Sequence, residues 1–288
     1  MRPEKLNPKI FLDSGDPKET KDALDILGFL DGQTTNPTLI AKNPSVHKRI
    51  EDGNYFSKDD IYENYKTIAE EISSLIPQGS ISLEVYADDN TKAAQMLEQA
   101  RKMFCWIPNA HIKLPIIPEG LKASEQAVKE GIRINMTLCF TQEQAAAVYG
   151  ATKGAKKGDV FISPFMGRFD DLGYNGLDLT KNMIEMYKDG DGHVEVLAAS
   201  VRNIDHLLTS IYLDADIITS PFKVLQQWVD EGMQLPDENF KYEAGGLKEI
   251  PYKQLSLDKP WQEFKFQHEL LDKGLKRFAD DWNNLTGE

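Results

Sequence analysis

The chain has 288 residues, with 33 Lys or Arg against 46 Asp or Glu, a formal net charge of −13. So acidic a balance argues against non-specific nucleic-acid binding and against a polybasic membrane signal. No window approaches the roughly 18 consecutive apolar residues of a membrane-spanning helix, and the opening MRPEKLNPKI lacks the apolar core of a signal peptide. The two cysteines, Cys105 and Cys139, lie in or near apolar runs and read as buried free thiols in a reduced, cytoplasmic protein.

In chain order, short β-branched runs alternate with segments of helical apolar spacing. Strands are predicted at 9–13 (KIFLD), 32–36 (GQTTN), 80–86, 111–116, 133–139, 159–165, 194–200 and 215–220. Helices are predicted at 18–30, 61–75, 91–103, 121–130, 142–149, 178–187, 204–213 and 221–229. Strict βα alternation favours a parallel sheet, and eight units over this length match a (β/α)8 TIM barrel at about 9–232. Neither G-x-G-x-x-G after the first strand nor G-x-x-x-x-G-K-[ST] occurs, so the nucleotide folds lose their usual support. A polar stretch at 236–260 follows, with a turn at Gly245–Gly246. The segment 261–285 then reads as one long helix with Phe264, Leu271, Leu275, Phe278 and Trp282 on one face. With no linker in view, 1–288 is expected to be one α/β domain, a TIM barrel with an additional C-terminal helix.

The predicted strands carry polar residues towards their carboxyl ends: Asp13, Asn36, Glu84, Lys113, Asn135 with Thr137, Ser163 and Ser200. One such residue has a bland explanation as a hydrogen-bonded core polar group. Their recurrence on nearly every strand predicts convergence on the barrel mouth, where (β/α)8 catalytic groups sit. Lys113 is the sharpest. It stands in the apolar run H-I-K-L-P, where an unpaired ammonium is costly to bury. Desolvation favours the free amine that a Schiff-base nucleophile requires, and a protonated imine serves as an electron sink for C–C cleavage. Such chemistry needs groups to shuttle protons, and Asp13 and Glu84 supply two carboxylates from other strands. An ion pair between Glu84 and Lys113 is the structural alternative, compatible with a catalytic role. For Asp13 the alternative is a helix cap, a part that Asp16 before Pro17 fills better.

Two arginines follow adjacent strands: Arg168 in S-P-F-M-G-R-F-D-D, and Arg202 in A-A-S-V-R-N just before a helix start. Bidentate guanidinium–phosphate pairing and a helix N-terminus both suit a phosphate ester, and Ser200 adds a hydroxyl donor. A salt bridge from Arg168 to Asp170 or Asp171 is the bland alternative. The five histidines are dispersed without H-x-x-x-H, so neither a metal nor another cofactor is expected, and His111 reads as a hydrogen-bonded core residue.

These residues lie in ordered motifs: F-L-D, D-G-Q-T-T-N-P-T-L-I, S-L-E-V, I-K-L-P with P-E-G-L-K-A, I-N-M-T-L-C-F-T-Q-E-Q-A, S-P-F-M-G-R-F-D-D and A-A-S-V-R-N-I. Together, from about residue 9 to about 230, the chain resembles the transaldolase family of class I aldolase-type barrels. The resemblance implies transfer of a dihydroxyacetone unit between sugar phosphates, from sedoheptulose 7-phosphate or fructose 6-phosphate to an aldose phosphate, in the pentose phosphate pathway. It implies that Lys113 forms the Schiff base and that Asp13 acts on the C4 hydroxyl. Glu84 and Thr137 would hold a proton-shuttling water, Asn36 and Asn135 the donor hydroxyls, and Arg168, Arg202 and Ser200 the phosphate. Ser163 joins this substrate-binding set. The related fructose-6-phosphate aldolases place a tyrosine where this chain has Phe165, which favours a transferase. The chain departs from the family pattern at Val201, at Met166 and in the charged excursion 46–60.

Other readings are a lyase like fructose-6-phosphate aldolase, a non-catalytic phosphosugar-binding barrel, and a glycoside hydrolase using Asp13 and Glu84. The last leaves Lys113 unexplained. The expected partners are sugar phosphates, with no nucleic acid or membrane, and the sequence leaves monomer and homo-oligomer open.

Overall fold

The structure, a computed structural model, describes residues 1–287. Eight parallel strands close into a barrel in sequential order. They are β1 (Lys9–Asp13), β2 (Gly32–Thr34), β3 (Ser80–Glu84), β4 (Ala110–Pro115), β5 (Ile134–Cys139), β6 (Val160–Pro164), β7 (Val194–Ala198) and β8 (Ile217–Ser220). Helices α1 (Pro17–Leu27), α2 (Pro37–Ala41), α3 (Pro44–Glu51) and α4 (Lys58–Leu75) precede β3. Around the rest of the ring run α5 (Ala93–Phe104), α6 (Pro118–Lys129), α7 (Gln142–Ala151), α8 (Met166–Asp170), α9 (Gly176–Tyr187), α10 (Ile204–Tyr212) and α11 (Phe222–Asp230). The charged excursion at 46–60 is therefore mostly helix. Helix α1 begins as its sequence dictates: Asp16 accepts a hydrogen bond from Lys18 N and Pro17 opens the first turn.

Both faces of each strand are covered, one by helices and one by the barrel interior, so the strands are buried nearly throughout. Alternation sends Ile112 and Leu114 one way and His111 and Lys113 the other. In the interior His111 is a satisfied core residue. It stacks on Phe161 at 4.1 Å, its Nε2 faces Gly158 O at 2.9 Å, and its Nδ1 meets Ser80 Oγ at 2.7 Å. Burial pulls its pKa down to about 3.

Two expectations are corrected. The segment 261–285 is not one helix: a single 3-10 turn, Trp261–Glu263, gives way to extended chain, and α12 runs from Glu269 to Asn283. Phe264, Lys265, Phe266 and Gln267 alternate inward and outward with period two, the strand rather than the helix period. Gln144 on α7 donates to Phe266 O and holds that backbone extended. Leu271, Leu275, Phe278 and Trp282 do form the buried face of α12. The second correction concerns the thiols. Cys139 is buried, and burial pushes its pKa up, but Cys105 is exposed at the end of α5.

Candidate active site

Strand register builds the centre of the site. Glu84 pairs with Lys113 across β3 and β4, and Lys113 with Asn135 across β4 and β5, so three neighbouring strands deliver one row of polar side chains. Lys113 Nζ lies 3.0 Å from Glu84 Oε2, and both side chains are only 4% exposed. The contact is an ion pair without an aligned hydrogen bond at Oε2. The amine donates instead to Thr35 O, at 3.0 Å. Burial raises the pKa of Glu84 above the usual carboxylate range, against the opposing pull of Lys113. Asp13 shows the same balance: desolvation raises it, and Lys113 and the Thr34 hydroxyl pull it back. Thr34 Oγ1 donates to Asp13 Oδ1 at 2.6 Å and in turn meets Thr219 Oγ1 at 2.6 Å, so a hydroxyl chain from β8 through β2 orients this carboxylate. Two carboxylates with elevated proton affinity thus share the field of one buried amine, a disposition suited to moving protons.

Above this row opens a cavity of about 280 Å3 lined by Asp13, Asn36, Lys113, Ser163, Phe165, Arg168, Ser200 and Arg202 among others. Eight of the eleven sequence-predicted site residues therefore face one space. Asn135 lies beneath it, fully buried, donating to Ser82 Oγ and accepting from Ser163 Oγ at 2.7 Å. Thr137 is also fully buried, and its Oγ1 has no hydrogen-bond partner among the described residues. Glu84 reaches the amine from the side, against a small cavity of about 10 Å3 bounded by Tyr86, Pro115 and Leu275.

Several strands stop short of expectation, and two of these ends bear on the site. β2 stops at Thr34, so Asn36 is not a strand residue. It caps α2, accepting from Leu39 N at 2.9 Å. β7 stops at Ala198, and Ser200 adopts φ +60°, a left-handed conformation unusual for serine that turns the chain at the cavity edge. Gly167 makes room for that turn, since a Cβ there would meet Ser200 O at 2.4 Å and the Arg202 side chain at 2.6 Å.

The cations divide unequally. Asp171 pairs with Arg202 at 2.8 Å, and Asp170 with His206 at 2.7 Å. Arg168 has no carboxylate within 4.0 Å among the described residues, so the expected bland salt bridge is not formed there. Burial, then the neighbouring Arg277 and Arg202, hold its pKa below the ordinary value. A guanidinium destabilised by desolvation and by two like charges is relieved by an anion. The sequence reading missed Arg277, which lines the cavity from α12, together with Lys42, Thr38 and Thr219. Nothing local distinguished Arg277 from the other charges on its amphipathic helix.

A closed eight-stranded parallel barrel with polar side chains gathered at one mouth places the chain in the class of (β/α)8 barrel proteins. The profile of the transaldolase/fructose-6-phosphate aldolase family matches residues 10–288, and the chain belongs to that family. It is 34% identical over 277 residues to a probable transaldolase of Dehalococcoides mccartyi, covering 96% of this chain and 99% of that one. Probable transaldolases of Geobacillus kaustophilus and Brucella ovis are each 34% identical, covering 96% and 95% of this chain and 98% and 96% of theirs. Among solved structures, 3-hexulose-6-phosphate synthase from Salmonella typhimurium shares the fold at 11% identity and a TM-score of 0.50, over 78% of this chain and 97% of that chain.

Proposed function

We propose that the protein is a transaldolase, moving a dihydroxyacetone unit from a ketose phosphate, sedoheptulose 7-phosphate or fructose 6-phosphate, to an aldose phosphate through a Schiff base on Lys113. The observation that carries this reading is the buried Lys113 amine, 3.0 Å from Glu84 Oε2, on the floor of a cavity rimmed by Arg168 and Arg202. The amine attacks as its neutral form, and Glu84, whose proton affinity burial raises, lies within reach of its protons.

The amine attacks the C2 carbonyl, and the carbinolamine loses water to give a protonated imine. Glu84 Oε2 and Thr137 Oγ1, buried polar atoms short of hydrogen bonds, suit the water that shuttles these protons. Asp13 then takes the C4 hydroxyl proton. The C3–C4 bond breaks, its electron pair flows towards the iminium nitrogen, and the aldose phosphate leaves. The enamine carbon attacks the carbonyl carbon of the acceptor aldehyde, Asp13 returns its proton to the new alkoxide, and hydrolysis of the imine frees the product and the amine. Asn36 and Ser163 hold substrate hydroxyls, with Asn135 holding the Ser163 hydroxyl from beneath, while Arg168, Arg202 and Ser200, with Arg277 nearby, hold the phosphate. Phe165 places an apolar ring in the cavity wall where a hydroxyl would help protonate the enamine, so the bound unit waits for an acceptor. That disfavours the lyase reading.

Borohydride with fructose 6-phosphate tests the chemistry: it is expected to fix a covalent adduct on Lys113. An unmodified lysine, with activity surviving Lys113→Ala, rejects it. Fructose 6-phosphate alone is expected to release little free dihydroxyacetone, and added erythrose 4-phosphate to start turnover. Rapid release without acceptor assigns the protein to the lyases instead.

A further inference from the structure

Lys113 Nζ has two described polar neighbours, the carbonyl of Thr35 and the carboxylate of Glu84. They come from different chain segments, and one buried phenol joins them. Tyr65, on α4 and 1% exposed, accepts a hydrogen bond from Glu84 N at 2.9 Å and meets Thr35 Oγ1 at 2.5 Å. The direction of the chain is fixed. A backbone N–H can only donate, and Thr35 Oγ1 spends its own proton on Ser82 O at 2.7 Å, so the phenol donates to Thr35. The order runs from Glu84 N–H to Tyr65 O–H to Thr35 O–H to the Ser82 carbonyl.

The position is one where the sheet can no longer do this work. β2 pairs with β3 only through Thr34, opposite Ser82. Beyond that, Thr35 N still reaches Ser82 O at 3.0 Å, and the chain then turns into α2. Glu84 therefore has no β2 partner. The Tyr65 hydroxyl takes the place of the missing strand, and its ring is clamped edge-on between Trp106 at 5.8 Å and Trp282 at 6.0 Å. Trp282 belongs to α12, so the terminal helix also holds this phenol.

We propose that Tyr65 is a positioning residue for imine formation: its hydroxyl sets the spacing between the Thr35 carbonyl and the Glu84 carboxylate, and so the orientation and proton transfer of the Lys113 amine. The inference rests on the Schiff-base reading above and deepens it. Tyr65 does not touch substrate. Its loss slows covalent chemistry and leaves phosphate recognition, on the opposite side of the cavity, unchanged.

The test compares wild type, Tyr65→Phe and Tyr62→Phe in single-turnover borohydride trapping with fructose 6-phosphate, and in steady-state transfer to erythrose 4-phosphate. Tyr62 is the control: its hydroxyl belongs to the same aromatic cluster but donates to Gln99 at 2.8 Å, away from the amine. Tyr65→Phe is expected to trap at least tenfold more slowly and lose kcat to match, with donor KM within about twofold and Tyr62→Phe like wild type. If Tyr65→Phe does not fold, Thr35→Val interrupts the same chain one bond further on and is expected to give the same split. Trapping by Tyr65→Phe or its substitute at the wild-type rate, or an equal slowing in Tyr62→Phe, overturns the inference while the Schiff base stands. A wild type that forms no adduct overturns both.

Discussion

Gly274 on the terminal helix and Leu138 on β5 fit together where the helix crosses the barrel mouth: a Cβ on Gly274 would stand 2.7 Å from Leu138 Cδ2. Leu138 reaches this position because β5 bulges between Met136 and Cys139 and Leu138 itself adopts φ +60°. The helix seated by this contact carries Arg277 and Phe278 into the cavity. Gly274→Val overpacks the joint and is expected to cost about 1–3 kcal/mol of stability. Thermal unfolding reads that loss, and donor KM should rise as Arg277 is displaced. A variant as stable as wild type, with unchanged KM, would show that the joint is slack.

Removing the amine tests the centre of the site. Lys113→Met keeps the length of the side chain and is expected to lower kcat by about 10^4-fold or more while the phosphate site still binds. Stopped-assay turnover and equilibrium binding of fructose 6-phosphate separate the two effects.

Arg168 and Arg202 should differ from one another. Arg202 already spends part of its charge on Asp171, whereas Arg168 forms no salt bridge among the described residues and feels Asp171 only at longer range. Arg168→Ala is expected to raise KM for phosphorylated donors by about tenfold to a hundredfold, the worth of a charge-assisted hydrogen bond, with the smaller effect from Arg202→Ala. Neither should change turnover of an unphosphorylated ketose donor such as fructose. Parallel KM measurements on phosphorylated and free donors decide it.

Phe165→Tyr places a hydroxyl in the cavity wall, and free dihydroxyacetone released from fructose 6-phosphate without acceptor should rise at the expense of transfer. An unchanged ratio would remove Phe165 from the account of transferase specificity.

Two pH effects are expected. Burial raises Asp13 and Glu84, so the acid limb of kcat/KM should lie above the ordinary carboxylate range, as a property of the coupled pair. Glu84→Gln should change its shape. Stability follows a different group. His111 takes a proton near pH 6.5 when unfolded but only near about 3 when folded, because burial disfavours the charged ring. The native state therefore loses stability as pH falls from about 6.5 towards 3, by up to about 5 kcal/mol at roughly 1.4 kcal/mol per pKa unit. His111→Gln should flatten that part of the curve of unfolding temperature against pH.

Most barrel strands were legible in the sequence because β-branched runs buried on both faces leave a strong apolar signal between helical periods; β2, with the polar sequence GQT, carries no such signal. The same reading singled out Lys113, Asp13 and Glu84, since polar residues in apolar strands stand out against their neighbours, and Arg168 and Arg202 as cations just after strands; the structure brings Lys113, Asp13, Arg168 and Arg202 to one cavity. The interrupted terminal segment misled it because a single apolar residue can satisfy either period. Phe264 fits a helix that begins at Trp261 and equally the extended chain that Gln144 holds.

The sequence by itself determined the eight βα units and the types of group gathered at their carboxyl ends, because composition and period are local. Tertiary structure alone decided that Glu84, Lys113 and Asn135 share one row, that Asp171 answers Arg202 and leaves Arg168 open, and that Tyr65 and Arg277 arrive from helices far along the chain. Those facts depend on register, closure and the seating of α12, which are set by packing between residues that no sequence window contains.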